Sequence, residues 1–332
     1  MRRAGSHMTR LVSITSLFII ITLLPLFAQS EEKKCLAVIT DIKGDVEVIK
    51  ANDDKIRGDW GLQLYNGDRI RTSRASSATL IFSNGNLVNL GGNSSIEISG
   101  DRESSTEQFE NSKNVNQAMF GNFIDLALNR DKKKDVGVLA GLRSLKIDSN
   151  KPLIELISPC NTSIITCKPS FEWLTSIPVD EFEIKLFNKN GLVWSKKVTG
   201  NKIEYPENAE VLSYGETYFW HVVGEALLES YKSLNYEFSV LTAEQIKEVK
   251  SREESIKELV NNSTNSSSYH SLLGAYYYNT GLLEEAIIEF NKVSDKNPHS
   301  AIVHEILGQL YTYTGKKDLA IQELKKALQL KE

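Results

Sequence analysis

The side chains able to do covalent or metal chemistry in this 332-residue sequence are five histidines, three cysteines and scattered acids. Their spacing argues against most such chemistry. No G-x-S-x-G nucleophile motif and no glycine-rich phosphate loop is present. The acid pairs Asp53-Asp54 and Glu253-Glu254 read as exposed charges in a loop and on a helix. His221 alternates with Tyr218 and Trp220 and is expected at the surface of a strand. His270 and His304 lie 34 positions apart, open to a paired metal site or to core packing, and packing is the expectation. An enzyme is therefore not expected, and neither a metal nor a cofactor. Cys160 and Cys167 are separated by six residues and, in an oxidising compartment, are expected to form a disulfide closing a short loop, the alternative being two half-buried free thiols. Cys35 has no evident third partner.

The compartment follows from the N-terminus. Arg2, Arg3 and Arg10 precede an uncharged stretch whose most apolar part runs from Leu17 to Phe27, about half the roughly 20 residues that a membrane span needs. Ala28-Gln29-Ser30 supplies small residues at a cleavage site, so residues 1–30 are expected to be a signal peptide and Glu31 the mature terminus. An uncleaved N-terminal anchor is the alternative, and the only membrane contact expected. Cys35 follows Glu31-Glu32-Lys33-Lys34, the opposite of a lipobox. The expected location is the periplasm or cell envelope.

Composition is that of ordinary globular domains, with 41% hydrophobic and 25% charged residues and only 7 prolines. A net charge of −4 argues against nucleic-acid binding, which needs lysine and arginine to neutralise phosphates.

The elements that must position these residues fall into segments, and the fold class they imply is multidomain β plus α. From 36 to 100, apolar residues alternate at Val46/Val48, Leu80/Phe82, Val88/Leu90 and Ile96/Ile98, punctuated by Asn66-Gly67-Asp68 and Ser83-Asn84-Gly85-Asn86, the pattern of β-hairpins. Gly44-Asp45-Val46, Trp60, Gly67-Asp68-Arg69-Ile70-Arg71-Thr72, Ser76 to Phe82 and Asn84-Gly85-Asn86 together resemble the FecR domain, a β-rich extracytoplasmic module. Residues 101–151 read as a polar loop, a short helix carrying Met119, Phe120, Phe123 and Leu126, and a charged linker. Between 152 and 241, Phe171/Trp173, Phe182/Ile184/Leu186, Tyr218/Trp220/Val222 and Phe238/Val240 predict a β-sandwich. The run from Leu212 to Trp220 resembles the approach to a late strand of fibronectin type III and other immunoglobulin-like (Ig-like) domains.

Residues 242–266 are expected to hold an amphipathic capping helix, with Ile246, Val249, Ile256 and Val260 on one stripe, and the flexible joint Asn261 to Ser268. In 267–332, Leu273/Leu307, Gly274/Gly308, Tyr277/Tyr311, Gly281/Gly315 and Ala286/Ala320 recur at 34 residues, identifying two α-helical tetratricopeptide (TPR) hairpins in which Gly274 is expected to face Ala286. His270 and His304 take a position where the family often has tryptophan. Two repeats make a marginal solenoid, and the uncapped end at Leu328 and Leu330 is expected to invite a partner chain or a second copy.

Helical geometry projects Ser271, Ala275, Tyr278 and Asn279, and their counterparts Glu305, Gln309, Thr312 and Tyr313, away from the seam. The family's peptide-holding surface uses matching positions, so Tyr278, Asn279, Glu305, Gln309 and Tyr313 are the expected partner-binding residues, with the two tyrosines as anchors. The function expected is a non-enzymatic envelope scaffold or protein-binding adaptor whose partner is another envelope protein or peptide. A FecR-type extracytoplasmic signalling regulator and a cell-wall glycan-binding module are the alternatives.

Overall fold

The computed structural model describes residues 34–100, 113–114, 153–226 and 229–331. The expected signal peptide and the expected helix around Phe120 and Phe123 lie outside the described residues. The N-terminal part is β and the C-terminal part helical, the β plus α architecture expected.

Alternation builds the first β module. In β5 (Arg69–Thr72) arginines point out while Ile70 and Thr72 point in, and in β2 (Val46–Ile49) Val46 and Val48 are buried. These strands join β3 (Lys55–Arg57) and β8 (Ser95–Glu97) in the sheet order β3-β2-β5-β8. A second sheet runs β4 (Gln63–Leu64), β1 (Ala37–Lys43), β6 (Ser77–Phe82), β7 (Asn86–Leu90) and β9 (Lys113–Asn114). All pairings in both sheets are antiparallel. Ala37, Ile39, Val48, Ile70, Leu80 and Leu90 fill the space between them.

The second β module carries β10 (Ile154–Ser158), β12 (Ser170–Thr175) and β15 (Lys202–Glu204) in one sheet. The other has β11 (Thr162–Ile164), β18 (Tyr236–Val240), β16 (Thr217–Glu225), β13 (Glu181–Asn188) and β14 (Gly191–Val198), with β17 (Ser230–Lys232) paired to β16. Phe171, Trp173, Phe182, Trp220 and Phe238 make an aromatic core, in which Phe171 and Trp220 meet edge to face at 4.9 Å. Trp220 Nε1 donates to Pro159 O at 2.7 Å.

Five helices follow: α1 (Ala243–Leu259), α2 (Ser267–Thr280), α3 (Leu283–Lys296), α4 (Ala301–Tyr313) and α5 (Lys317–Gln329). Thr242 and Gln245 cap α1 reciprocally, and α1 buries Val249, Ile256 and Leu259 in the cluster that α2 shares. The close approach within each hairpin is glycine-dependent. A Cβ on Gly274 would sit 2.9 Å from the Phe290 ring, and one on Gly308 would sit 2.6 Å from Leu324. Gly274 thus faces Phe290 rather than Ala286, because one helix of the hairpin presents its large residue to the glycine of the other.

The helical hairpins are held at both ends by the β modules. At the ends where α2 and α4 begin, the outer face of the β1–β6–β7 sheet joins the helical core: Val38, Ile81 and Leu87 cluster with α2 to α5. Trp60, fully buried, stands edge-on to Phe290 at 6.4 Å, donates from Nε1 to Ser271 Oγ at 3.0 Å and accepts from Ser300 Oγ at its carbonyl at 3.1 Å. Thr40 and Ser268 hydroxyls pair at 2.8 Å. This corrects the reading of Asn261 to Ser268 as a flexible joint. Ser267 and Ser268 open α2 and are buried, since the sheet covers them and supplies the hydrogen bonds that buried hydroxyls require. At the opposite ends, the α2–α3 turn meets the sandwich, where Gly281 O accepts from Ser163 N at 2.8 Å. Leu282, the residue before α3, offers no side-chain cap, and the Thr162 hydroxyl of the sandwich accepts from Leu283 N at 2.9 Å in its place. A Cβ on Gly315 would lie 2.5 Å from Tyr236 Oη, so the second turn needs glycine both for its φ of 77° and for this contact.

Trp60→Ala is expected to cost about 3–5 kcal/mol of unfolding free energy by chemical denaturation, and Trp60→Phe about 1–2 kcal/mol, because it keeps much of the ring and loses the indole bond. Hydrogen exchange in α2 should rise with the first substitution. Unchanged protection there would show that the sheet does not hold the helices.

Candidate functional site

The face expected to bind a partner is only partly open. Ser266 caps α2 by accepting from Tyr269 N at 3.1 Å, and Gly281 ends the helix with φ of 79°. Between these limits the β1–β6–β7 sheet covers the first half of α2. Ser271 and Ala275 are fully buried, so the expectation that they project toward a ligand is corrected. Glu305 is likewise buried, at 3% exposure, and pairs with Lys331 beyond the end of α5. A buried carboxylate needs a cation of its own chain, and this one has it, so Glu305 is removed from the open face.

What stays open lies at the C-terminal halves of α2 and α4. Asn279 is exposed, Tyr278 and Gln309 are half-buried, and Tyr313 is 50% exposed. The Tyr278 and Tyr313 rings are tilted against each other with centroids 6.3 Å apart. Burial first, then the neighbouring Tyr313, pushes the Tyr278 phenol up to about 12, so it remains a neutral hydroxyl at physiological pH. Asn161 of the sandwich, at φ of 49°, donates from Nδ2 to Tyr313 O at 3.2 Å and borders this face. Asn279 donates from Nδ2 to Ala275 O at 2.9 Å, which fixes its amide in orientation.

Both repeat histidines are buried packing groups. His270 Nδ1 meets Glu289 Oε2 at 2.6 Å and His304 Nδ1 meets Glu323 Oε2 at 2.6 Å, each clasping the two helices of one hairpin. His304 Nε2 also faces Pro298 O at 3.2 Å, so both ring nitrogens face acceptors. The two histidines have separate partners, and among the described residues no group of three or more His, Cys, Asp or Glu could hold a metal.

His221 differs from expectation. It is 8% exposed, stacked on Phe187 at 5.4 Å, and burial followed by Lys232 and Lys185 lowers it to about 4. The Phe187 ring lies against it on the outer face where a period-two pattern places it. The expected bridge between Cys160 and Cys167 is also corrected, because both are separate buried thiols. The intervening residues include the three of β11, which run extended and pair with β18 rather than closing a loop between the two thiols. Burial pushes the Cys160 thiol well up, and Glu284 adds to it.

The α3 N-terminus holds an acid, Glu285, that has no cation partner among the described residues. Glu285 Oε2 is buried without a hydrogen-bond partner, and burial, followed by the charges of Glu284 and Glu253, raises its carboxyl to about 7. Glu284 is better served, accepting from Ser158 Oγ at 2.5 Å and facing Lys316 Nζ at 3.6 Å.

Comparison with known proteins places a tetratricopeptide repeat at residues 303–332, which is α4 and α5 of the second hairpin. No FecR domain is detected. No curated protein matches the chain. Among solved structures, a cell surface anchoring domain is 24% identical at a TM-score of 0.21, with 23% of this chain covering 99% of it. Dimeric latent PorU from Porphyromonas gingivalis is 12% identical at a TM-score of 0.23 over 60% of this chain and 16% of its own. A beta-1,2-glucanase from Parabacteroides distasonis is 9% identical at 0.22 over 90% of this chain and 49% of its own. Scores this low carry no argument about fold or function.

Two outcomes follow. Glu285 binds its proton more tightly folded than unfolded, so its contribution to stability is present at pH values below about 4.5 and is lost as pH rises through about 7. Glu285→Gln should therefore be more stable than the parent at pH 8, by up to about 3 kcal/mol, with the gap closing near pH 5 in urea titrations. Separately, a thiol reagent should find no reactive cysteine in folded protein and three after unfolding without reductant; a count of one would restore the disulfide.

Proposed function

We propose that this chain is an exported, non-enzymatic adaptor of the cell envelope that uses its helical hairpins, held between two β modules, to bind another polypeptide. The observation carrying this reading is the open face formed by Tyr278, Asn279, Gln309 and Tyr313 beside Asn161. The tetratricopeptide match supports a protein-binding role. Paired tyrosines supply rigid contact area with hydroxyls at low entropy cost, and the amides of Asn279 and Gln309 suit a peptide backbone. The remaining helix surface near the first β module is occupied by the chain itself, so the bound segment is short and touches the sandwich loop as well as the helices.

Placement outside the cytoplasm is supported by the leader-like stretch Leu11 to Ser30 and by the likeness of residues 36–100 to the extracytoplasmic FecR module. Among the described residues no helix is long and apolar enough to cross a membrane. The adaptor reading is preferred to a signalling regulator because the tetratricopeptide match points to protein binding.

The test is affinity capture from an envelope extract of the native host, followed by titration of the captured protein. Tyr278→Ala with Tyr313→Ala should weaken binding at least about tenfold, as expected for two interface anchors, while lowering the melting temperature by only a few degrees. Full-strength binding by the double variant would move the binding surface to the β modules.

A further inference from the structure

A cleft of about 320 Å³ opens where the outer face of the β1–β6–β7 sheet meets the connection from α1 to α2. Its volume is at the lower end of small-molecule sites, roughly 300–1,000 Å³. Asp41 is the one charged side chain among its lining residues, and no lysine or arginine is among them. The other polar groups are hydroxyls and amides, and Ala78, Leu87, Leu90 and Val260 supply aliphatic surface.

The bonding capacity left over identifies the ligand chemistry. Asp41 accepts from the backbone N–H groups of Ser267 and Ile42, with Lys296 near it but outside the lining, and its two oxygens keep further lone pairs, so that wall takes hydrogen-bond donors. Burial raises its carboxyl above the usual range, as for an acid short of solvation. Asn89 lies on β7. Its Oδ1 accepts from Thr79 Oγ1 at 2.8 Å, which leaves the amide N–H groups as donors toward the cleft. Ser266 is committed on both sides, donating to Ser263 O at 2.8 Å and accepting from Tyr269 N at 3.1 Å. Ser268 is engaged with Thr40. Ser77 and Asn261 complete the polar rim.

An anion is excluded by the lone carboxylate and the absence of a cation from the lining. A simple amine would answer Asp41 and leave the Asn89 donors and the aliphatic surface unmatched. A peptide strand would find little edge to join: among the described residues β6 is paired on both sides, and β9 pairs with β7 at Asn86 and Leu87, leaving only the three residues Val88 to Leu90. A neutral ring bearing adjacent hydroxyls offers donors to Asp41, acceptors to Asn89 and C–H faces to the aliphatic floor. We propose that this cleft binds a neutral sugar residue, free or at the end of a glycan, across the joint between the first β module and the helices. This site is independent of the tyrosine face.

The test uses the full chain with glucose, galactose, N-acetylglucosamine and the N-acetylglucosamine trimer as probes, read by saturation-transfer NMR and calorimetry. At least one is expected to bind in the millimolar range, and Asn89→Leu, an exposed position, should weaken it about tenfold or more without changing the melting temperature. Asp41→Asn should do the same, and if it melts early, Asn89→Leu alone decides. A trimer binding about tenfold tighter than the monosaccharide assigns a glycan end, whereas equal affinity assigns a free sugar. Absence of binding by all four probes, binding undiminished in Asn89→Leu, or preferential binding of spermidine would overturn the proposal.

Discussion

A solenoid of two helical hairpins buries its apolar face only against neighbours, so each exposed end is a debt in hydrophobic surface and unsatisfied backbone. In this protein that constraint is met within the chain. Trp60 and the outer face of β1 and β6 close one end of the hairpins, and the sandwich closes the turns at Gly281 and Gly315. Helix α2 shows the consequence. It is buried from Ser267 to Ala275 except at Tyr269, a pattern that a helix on a free surface never shows. Its serines are there because buried polar contacts to Thr40 and Trp60 are satisfied rather than because the segment is a linker.

The same closure sets the chemistry of the interior. Each hairpin carries a histidine–glutamate clasp in the same place, and the carboxylate is paired there. Glu285 is the exception, an acid at a helix N-terminus whose favourable dipole does not offset its loss of water. Closure also fixes what a partner can reach: of eight positions that helical geometry offers outward, Ser271, Ala275 and Glu305 are spent on the chain's own packing. The tyrosine face survives because it lies beyond the reach of the first β module and beside the loop of the second. The cleft above Asp41 exists for a related reason, since a curved connection laid on a pleated sheet leaves space where side chains are short.

Local rules were enough to read the elements. Period-two alternation with Asn-Gly turns gave the strands, the 34-residue recurrence gave both hairpins, and the stripe of Ile246, Val249, Ile256 and Val260 gave α1, because each of these signals depends on residues within a few positions or on a repeat. Tyr278, Asn279, Gln309 and Tyr313 were legible for the same reason, being placed by helical spacing alone.

What only the tertiary structure decided are the contacts made between elements distant in the chain. Val38 and Ile81 lie on the sheet face that alternation assigns to solvent, and they are buried because helices far along the chain cover them. The cap of α3 is Thr162, which stands 121 positions away from Leu283. Cys160 and Cys167, close in sequence, stay separate thiols on either side of β11, which pairs with β18, and buried Glu305 is paired with Lys331. Such contacts leave no period in the sequence: a side chain's pattern records its own backbone's geometry, whereas the burial of its second face depends on which distant element packs there.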